Sequence, residues 1–568
     1  RSKAEEVLEA AKTARQTPTA ANQLQLLTKL QEHGGLQEIV TGVTAETGRS
    51  LRAFRQEAFN ALKSNDARKM EELLRRIGPR AKLDEVAAAL AKVDVNNPVA
   101  VNEAIRSFSN PKAWDYVMEV YINSILSGPK THIINALSNT LNAFLSPVER
   151  LGAAVVERPL AALQRRAPTR FFEEVPADVF GAFEGIKEGM VAGLSVLRYG
   201  INPIQASKWE FRRTAFRGTL GRVIRGPGTM LEAADAFMFA INYRAALNSL
   251  MVRQARSEGL RGAQLVERFA ELKTHPSEAL IRAASDAAEY RLFRQDPGTL
   301  ANLLMEGRDK YPPARFVIPF VRTPVNLVKF GLARSPVGVM NPSLWRNLAI
   351  KNPEASDQIA RIFIGSSMAA GIAAFIAEGR ITGAAPTRKA ERDRFYREGK
   401  LPFAVQVGNR WVQYQRLEPF NQPLAQVAVA LEALRTKDKS ADEKVQQAVF
   451  NLSQNLVSQT YLRGISDLLN AATQPERYGT SYLTRLASGL LPAGALLRTG
   501  AQTVDPTFRR PTNLPEQIQA NIPGLSQNVP PVITAFGQEA PRESPAVSPI
   551  QVTPAHQSEV DAELERLG

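Results

Sequence analysis

The 568-residue chain has no cysteine. That excludes disulfides, thiolate metal sites and cysteine nucleophiles. Histidine is nearly as scarce: His33, His132, His275 and His556 are the full set, no two are four apart, and no zinc ligand set can be drawn from them. No G-x-S-x-G elbow occurs, so a Ser-His-Asp arrangement has no nucleophile to build on. Long apolar runs are missing too. Two uncharged stretches come nearest, the sixteen residues IFIGSSMAAGIAAFIA between Arg361 and Glu378 and the eighteen of Thr131–Val148, against the roughly 20 apolar residues that a spanning helix needs. Acid is in deficit, 56 Asp+Glu against 71 Lys+Arg, for a net charge of +15. This balance favours polyanionic partners, nucleic acid or an anionic bilayer face. Mean hydropathy is −0.21, which predicts a chain soluble as made, with segments able to enter a bilayer after rearrangement. No metal or cofactor is expected.

What is present is helical periodicity. Residues 1–95 read as charged amphipathic helices (EEVLEAAKTA, ARKMEELLRRI, DEVAAALAKV). Residues 96–310 form a second helical region, beginning at Asn97-Pro98. Residues 311–503 form a helical core, with Thr323-Pro324 as N-cap and first turn of a short helix that carries Asn326 and Lys329. Its one β signal is FAVQVGNRWVQY at 403–414, where a Gly408-Asn409 turn pairs Val405 with Val412 and Phe403 with Tyr414. Residues 504–568 hold ten prolines and predict an extended arm that wraps or hangs rather than packing its own core. Thr229 with Glu232 reads as a capping box, as does Ser440 with Glu443. The expected fold is all-α, an elongated multi-helix assembly with one small β-hairpin and an extended Pro-rich C-terminal arm.

The stretch NSILSGPKTHIINALSN at 123–139 invites a phosphate-loop reading and defeats it. Pro129 stands where the second glycine belongs and has no N–H to offer a phosphate, and Trp114, Val117, Tyr121 and Ile125 place a helix, not a strand, before it. Gly128-Pro129 therefore ends one helix and opens the next, with Lys130 and His132 in its first turn. Asn135, Asn139 and Asn142 fall at i, i+4 and i+7, a stripe suited to another helix or a water-filled lumen and costly against lipid. In 362–377, Gly365, Ala369, Ala373 and Ala377 recur every fourth residue, a small-residue ridge for close helix packing. Gly226 and Gly228 lack the third glycine and the preceding strand of a dinucleotide fingerprint. Glu184 and Glu188, flanking Lys187 in a glycine-punctuated stretch, read as ordinary helix surface and not as a carboxylate pair for glycoside cleavage.

The basic stretch KWEFRRTAFRGTLGRVIR at 208–225 sets Lys208, Arg212, Arg213, Arg217, Arg222 and Arg225 against one acid, Glu210, with Trp209, Phe211 and Phe216 interleaved. The mixture suits contacts to DNA phosphates or to anionic lipid. The competing reading is a basic face paired with acids elsewhere in the chain, and Gly218 and Gly221 speak against one continuous helix.

Taken in order, SILSGPKTHIINALSN, VIPFVRTPVNLVKFGLARSP, the small-residue helix, the WVQY hairpin and the tail NIPGLSQNVPPVITAFG…SPIQVTP…DAELERLG resemble the large polyvalent protein-associated domains of giant phage and prophage proteins, over roughly residues 110–568. The resemblance implies a non-enzymatic internal virion (ejection) protein of a short-tailed phage, held portal-proximal in the virion interior. It further implies a homo-oligomeric ring that meets other portal and ejection proteins, viral DNA and, after ejection, the host membrane and envelope, where it helps form a DNA conduit. For Gly128, Pro129, Lys130, His132, Asn135, Asn139, Pro319, Arg322, Pro324 and Asn326 it implies shared local structure and no reaction. Two alternatives stand beside it. Arg1 is not a Met start, which suits an accessory segment of a larger multidomain phage enzyme, and the charge alone suits a cytoplasmic DNA-binding protein.

Overall fold

The computed structural model describes residues 3–32, 68, 113–199, 215–216, 218–311, 314–377, 380–383, 392, 395–396, 399–414, 490–533, 537–542, 546–548 and 550–554. Among them are fifteen α-helices and one three-stranded antiparallel sheet, a mostly all-α fold. The chain divides into two compact units: residues 1–123, 190–236 and 306–312 form one, and 124–189, 237–305 and 313–568 the other. Of the expected N-terminal helices, only that beginning the chain lies within the described residues, apart from Arg68; Asn97-Pro98 and the Ser440–Glu443 cap lie outside them.

In the first unit, Lys3–Gln16 and Ala20–Glu32 form a helical hairpin. Small residues on the first helix (Ala10, Ala11, Ala14) and Leu24 and Leu26 on the second are buried, and Lys29 reaches Glu6 at 2.7 Å. Elsewhere in this unit Ala192 and Val196 pack against Ala233 and Ala236.

The second unit is built on the 35-residue helix Pro129–Leu163. It opens as the Gly128-Pro129 spacing predicts: Gly128 is the extended N-cap and Pro129 sits in the first turn, where its missing N–H costs nothing. The helix Glu354–Ala377 lies along it. Beside these, residues 174–189 run against residues 237–245, and Met238, Phe239, Ile241, Ala288 and Leu292 form an apolar cluster with Ala143 and Ala182 at its edge. A second cluster joins Phe293, Leu327 and Phe330.

Three boundaries differ from the sequence expectation. Gly218–Ser257 is one helix, so Thr229 is interior and not a cap; Pro227 is accommodated, with the Gly228 N–H donating to Asn123 Oδ1 at 3.2 Å. The helix of the RTPVNLVK motif begins at Arg322 with Val321 as N-cap. The Val325 N–H donates to the Val321 carbonyl at 3.1 Å, so Pro324 still falls in the first turn and Thr323 is helical. The arm from 504 is also more structured than an extended strap. It holds the helix Leu514–Gln519, capped by Asn513 accepting from the Glu516 N–H, and bridges such as Thr507 with Pro541 and Arg509 with Pro531.

The hairpin forms with the expected register. β1 (Ala404–Val407) pairs β2 (Arg410–Gln413) with Val405 opposite Val412, Gly408 takes φ +58°, and the Tyr414 N–H donates to the Phe403 carbonyl at 2.8 Å. A third strand, β3 (Val552–Pro554), pairs β2 with Trp411 opposite Thr553. The arm therefore closes one edge of the sheet.

Candidate functional site

Two segments of the second unit carry most of the motif residues, and both turn out to hold backbone. The first is the SGP turn. The helix Gly494–Val504 begins after Ala493 in a left-handed conformation (φ +54°), with no side-chain cap of its own. Its exposed N–H groups are capped from the other end of the sequence. Ser124 Oγ accepts from the Gly494 N–H at 3.0 Å while donating to the Leu491 carbonyl at 2.7 Å, and Ser127 Oγ accepts from the Leu496 N–H at 3.1 Å. A Cβ on Gly128 would stand 3.2 Å from Ala495 Cβ, so the turn seats closely on that helix. Lys130 and His132 lie half-buried in the first turn of Pro129–Leu163. Asn139 and Asn142 are buried and Asn135 half-buried, and Asn142 Nδ2 donates to the Arg291 carbonyl. Of the two settings open to the asparagine stripe, a neighbouring helix is the one Asn142 meets.

The second is Arg322–Ala333. Asn326 is fully buried, and its amide donates to the carbonyls of Phe293 at 3.0 Å and Gln295 at 2.8 Å. Lys329 Nζ donates to the Pro297 carbonyl at 2.6 Å. Within the same turn Asp296 accepts from the Gly298 N–H and the Asn302 amide. Those two bonds, with the Arg322 and Lys329 charges behind them, hold its carboxyl below the usual range. The clamped turn is irregular, with Phe293 at φ +57°, a conformation that costs roughly 1–2 kcal/mol for an L-residue and needs outside support. Pro324 is buried and Pro319 half-buried just before the helix.

Behind these segments lies a network that periodicity does not reveal, because its members alternate between distant helices. Glu157 is fully buried and receives Arg166 at 2.6 and 2.9 Å, the Thr169 N–H and hydroxyl, and Ser356. Burial opposes its ionisation, but those bonds outweigh it and hold the carboxyl low. Asp178 is likewise held low against its burial by Arg291 and Arg150. Glu174 takes Arg150 and Arg253, and Glu149 takes Arg334 and Arg361. Arg170 binds Asp357 through two nitrogens at 2.7–3.1 Å, and Asp357 too is held low against burial by Arg170. Each of these carboxylates is matched by at least one guanidinium, the arrangement that keeps buried charge tolerable. Glu157, Asp178 and Asp357, all held low, are the opposite of a carboxyl kept protonated to serve as a general acid. Glu184 meets Asn248 and Lys273, and Glu188 meets Arg244 at 2.7 Å, so both serve as helix-to-helix ion partners.

Glycine sets the spacing of the helices. Gly181, Gly185 and Gly189 recur every fourth residue on Glu174–Tyr199. A Cβ at these positions would lie 2.5 Å from the Arg244 carbonyl oxygen, 2.6 Å from Ile241 Cα and 2.6 Å from the Phe237 carbonyl oxygen. The two backbones touch. Gly365 of the small-residue ridge does the same against Arg334, where a Cβ would fall 1.6 Å from the carbonyl oxygen. The side chains of Ala369, Ala373 and Ala377 lie outside the described residues.

The basic stretch belongs to the first unit, and Lys208, Arg212, Arg213 and Arg217 lie outside the described residues. Its described end is non-helical at Ala215 and Phe216 and becomes helical from Gly218, which takes φ +65°, so the stretch is not one continuous helix, in line with the doubt that Gly218 raised. Glu119, buried on Ala113–Leu126, gathers this end: it accepts from the Ala215 and Phe216 N–H groups and from Arg225 at 2.6 Å. Arg225 also donates to the Phe216 carbonyl at 2.8 Å. Arg225 is thus an internal ion-pair partner, contrary to the expectation that it faces phosphates. Arg222 is exposed. The sequence reading missed Glu119 because it sits 96 residues before Ala215.

Among the described residues no group of His, Asp and Glu is placed to hold a metal ion, and no helix is long and apolar enough to cross a membrane. No protein-family model, no curated protein and no solved structure matches the chain.

Proposed function

We propose that the chain is a non-enzymatic internal virion protein of a short-tailed phage. It is packaged near the portal, ejected with the genome, and helps as a homo-oligomer to form a DNA conduit across the host envelope. The observation that carries this reading is the ordered series of motifs in the sequence, joined to the work their residues do. Ser124, Ser127 and Gly128 cap and seat Gly494–Val504, Asn326 and Lys329 clamp the 293–298 turn, and Gly365 admits a crossing backbone. These are services to a fold, as the resemblance implies. The charge of +15 favours the company of DNA and anionic lipid. The test is mass spectrometry of purified particles, with native mass measurement of the full chain. Several copies per particle and a closed oligomer are expected. Absence from particles, or a stable monomer within them, overturns the proposal.

A further inference from the structure

Two neighbouring helical segments of the second unit, Pro129–Leu163 and residues 174–189, are amphipathic the wrong way round for a protein in water. They meet through Ser146 and Arg150 on Pro129–Leu163 and Glu174 and Asp178 on Glu174–Tyr199. The buried face of the first is polar or small: Ser138, Asn139, Asn142, Ser146, Ala153, Ala154, Glu157 and Ala161. Its outward face carries Phe144 (72% exposed), Val148, Leu151 and Val155, spaced i, i+4, i+7 and i+11 in one narrow stripe. On the second helix, Glu174, Asp178 and the glycine ridge point inward, while Val179, Phe180, Phe183 (67% exposed) and Ile186 point outward.

The charges sort the same way. Every acid on these two helices up to Gly189 is ion-paired: Glu149, Glu157, Glu174, Asp178, Glu184 and Glu188. The exposed charged residues there are both basic, Arg158 and Lys187. Large apolar side chains outside with small residues and paired charges inside is the division that lipid imposes on helices. An outward face whose partly exposed acid, Glu188, is paired with Arg244, with basic residues beside it, complements an anionic headgroup layer.

We propose that this face, centred on Phe144, Val148, Leu151, Val155 and Phe183 and flanked by Arg158 and Lys187, docks on an anionic lipid bilayer, the helices lying in the interface plane and not spanning it. The proposal deepens the membrane step of the function above. Its test uses purified full chain and vesicles only, so its failure leaves particle content untouched, and absence from particles leaves the lipid face untouched.

Flotation with phosphatidylcholine vesicles, and with vesicles of phosphatidylcholine and phosphatidylglycerol in equal parts, reads the partition directly. Binding is expected to the anionic vesicles. The triple variant Phe144→Gln, Leu151→Gln, Phe183→Gln changes only exposed positions, so helical circular dichroism should hold while partition falls about tenfold or more. The double variant Arg158→Gln, Lys187→Gln should cut the preference for anionic over neutral vesicles by roughly ten- to thirtyfold. A Phe144→Trp variant should be quenched by brominated acyl chains. The proposal is overturned if the wild-type chain ignores anionic vesicles, if the triple variant binds as well as wild type, or if the Phe144→Trp fluorescence is not quenched. It is equally overturned if sedimentation shows a dimer that the triple variant dissolves with vesicle binding unchanged, since a second copy would then own the face.

Discussion

Glycine-to-alanine substitution should change sign along this chain, in step with the clearance at each site. At Gly307, in the helix Thr299–Lys310, a Cβ meets nothing within 4 Å. The methyl group then acts mainly through backbone entropy and should stabilise by about 0.5–1 kcal/mol. At Gly152 the neighbours are the side-chain atoms Ala360 Cβ and Ile364 Cδ1, both at 3.2 Å. They give by a few tenths of an ångström, and the net effect should lie near zero. At Gly185 the obstacles are backbone, Ile241 Cα at 2.6 Å and the Ala240 carbonyl oxygen at 2.8 Å. Carbon–carbon contact wants about 3.5 Å or more, so the helices must part by roughly 1 Å. Overpacking of that kind costs about 1–3 kcal/mol, against about 1 kcal/mol of helix propensity gained, for a net loss of up to about 2 kcal/mol. At Gly365 a Cβ would lie 1.6 Å from the Arg334 carbonyl oxygen. Relief there also disturbs the Arg334 ion pair with Glu149 and its stacking on Phe330, and a loss of about 3 kcal/mol or more is expected. Calorimetric melting of the four single variants checks the order, at a few degrees per kcal/mol or less for a chain this size. If Gly365→Ala melts at or above wild type, or if the four do not rank by clearance, the helices are not in backbone contact and the packing argument fails.

Other consequences are equally direct. Ser124→Ala and Ser127→Ala each remove a cap supplied from afar and should cost about 1 kcal/mol, with faster amide exchange at Gly494 and Leu496 as the local sign. Asn326→Leu leaves the Phe293 and Gln295 carbonyls buried without their donor and should cost about 2–4 kcal/mol, seen as a lowered urea midpoint at unchanged slope. Glu157, Asp178 and Asp357 have lowered folded-state pKa values, so the folded state holds fewer protons than the unfolded one. Their stabilisation is complete above the ordinary carboxyl value of about 4 and drains away as pH falls toward the lower folded values; urea midpoints flat across that acid range contradict the pairing. In salt-dependent DNA binding, Arg222→Gln should lower the log–log slope by about one unit. Arg225→Gln should leave the slope alone and lower the melting temperature, and a reduced slope from Arg225→Gln would contradict the Glu119 pairing.

What could be read beforehand was local. The Gly128-Pro129 junction, the Gly408 hairpin and its register, and the close approach at Gly365 each rest on backbone chemistry decided within a few residues. What escaped was decided at a distance. The caps on Gly494–Val504 come from serines some 370 positions earlier, and the partner of Arg225 lies on another helix 106 residues away. The boundary at Thr229 failed because the helix is already running from Gly218, with Pro227 inside it and the Gly228 N–H taken by Asn123. The Phe144–Val155 stripe illustrates a deeper limit. Periodicity shows that a helix has an apolar face, but only the buried arginines opposite it show that this face is not the core.

The sheet also orders events in time. β2 is complete at Gln413, yet its partner β3 begins at Val552. At synthesis rates of about 5–20 residues per second, the Arg410–Gln413 edge waits roughly 7–28 s before its own chain can cover it. An uncovered strand edge is a template for foreign pairing. Nascent chains crowded on one message are therefore open to mispairing at this edge during that interval. A peptide matching 550–555 supplied during translation should compete for the edge and hold β3 out.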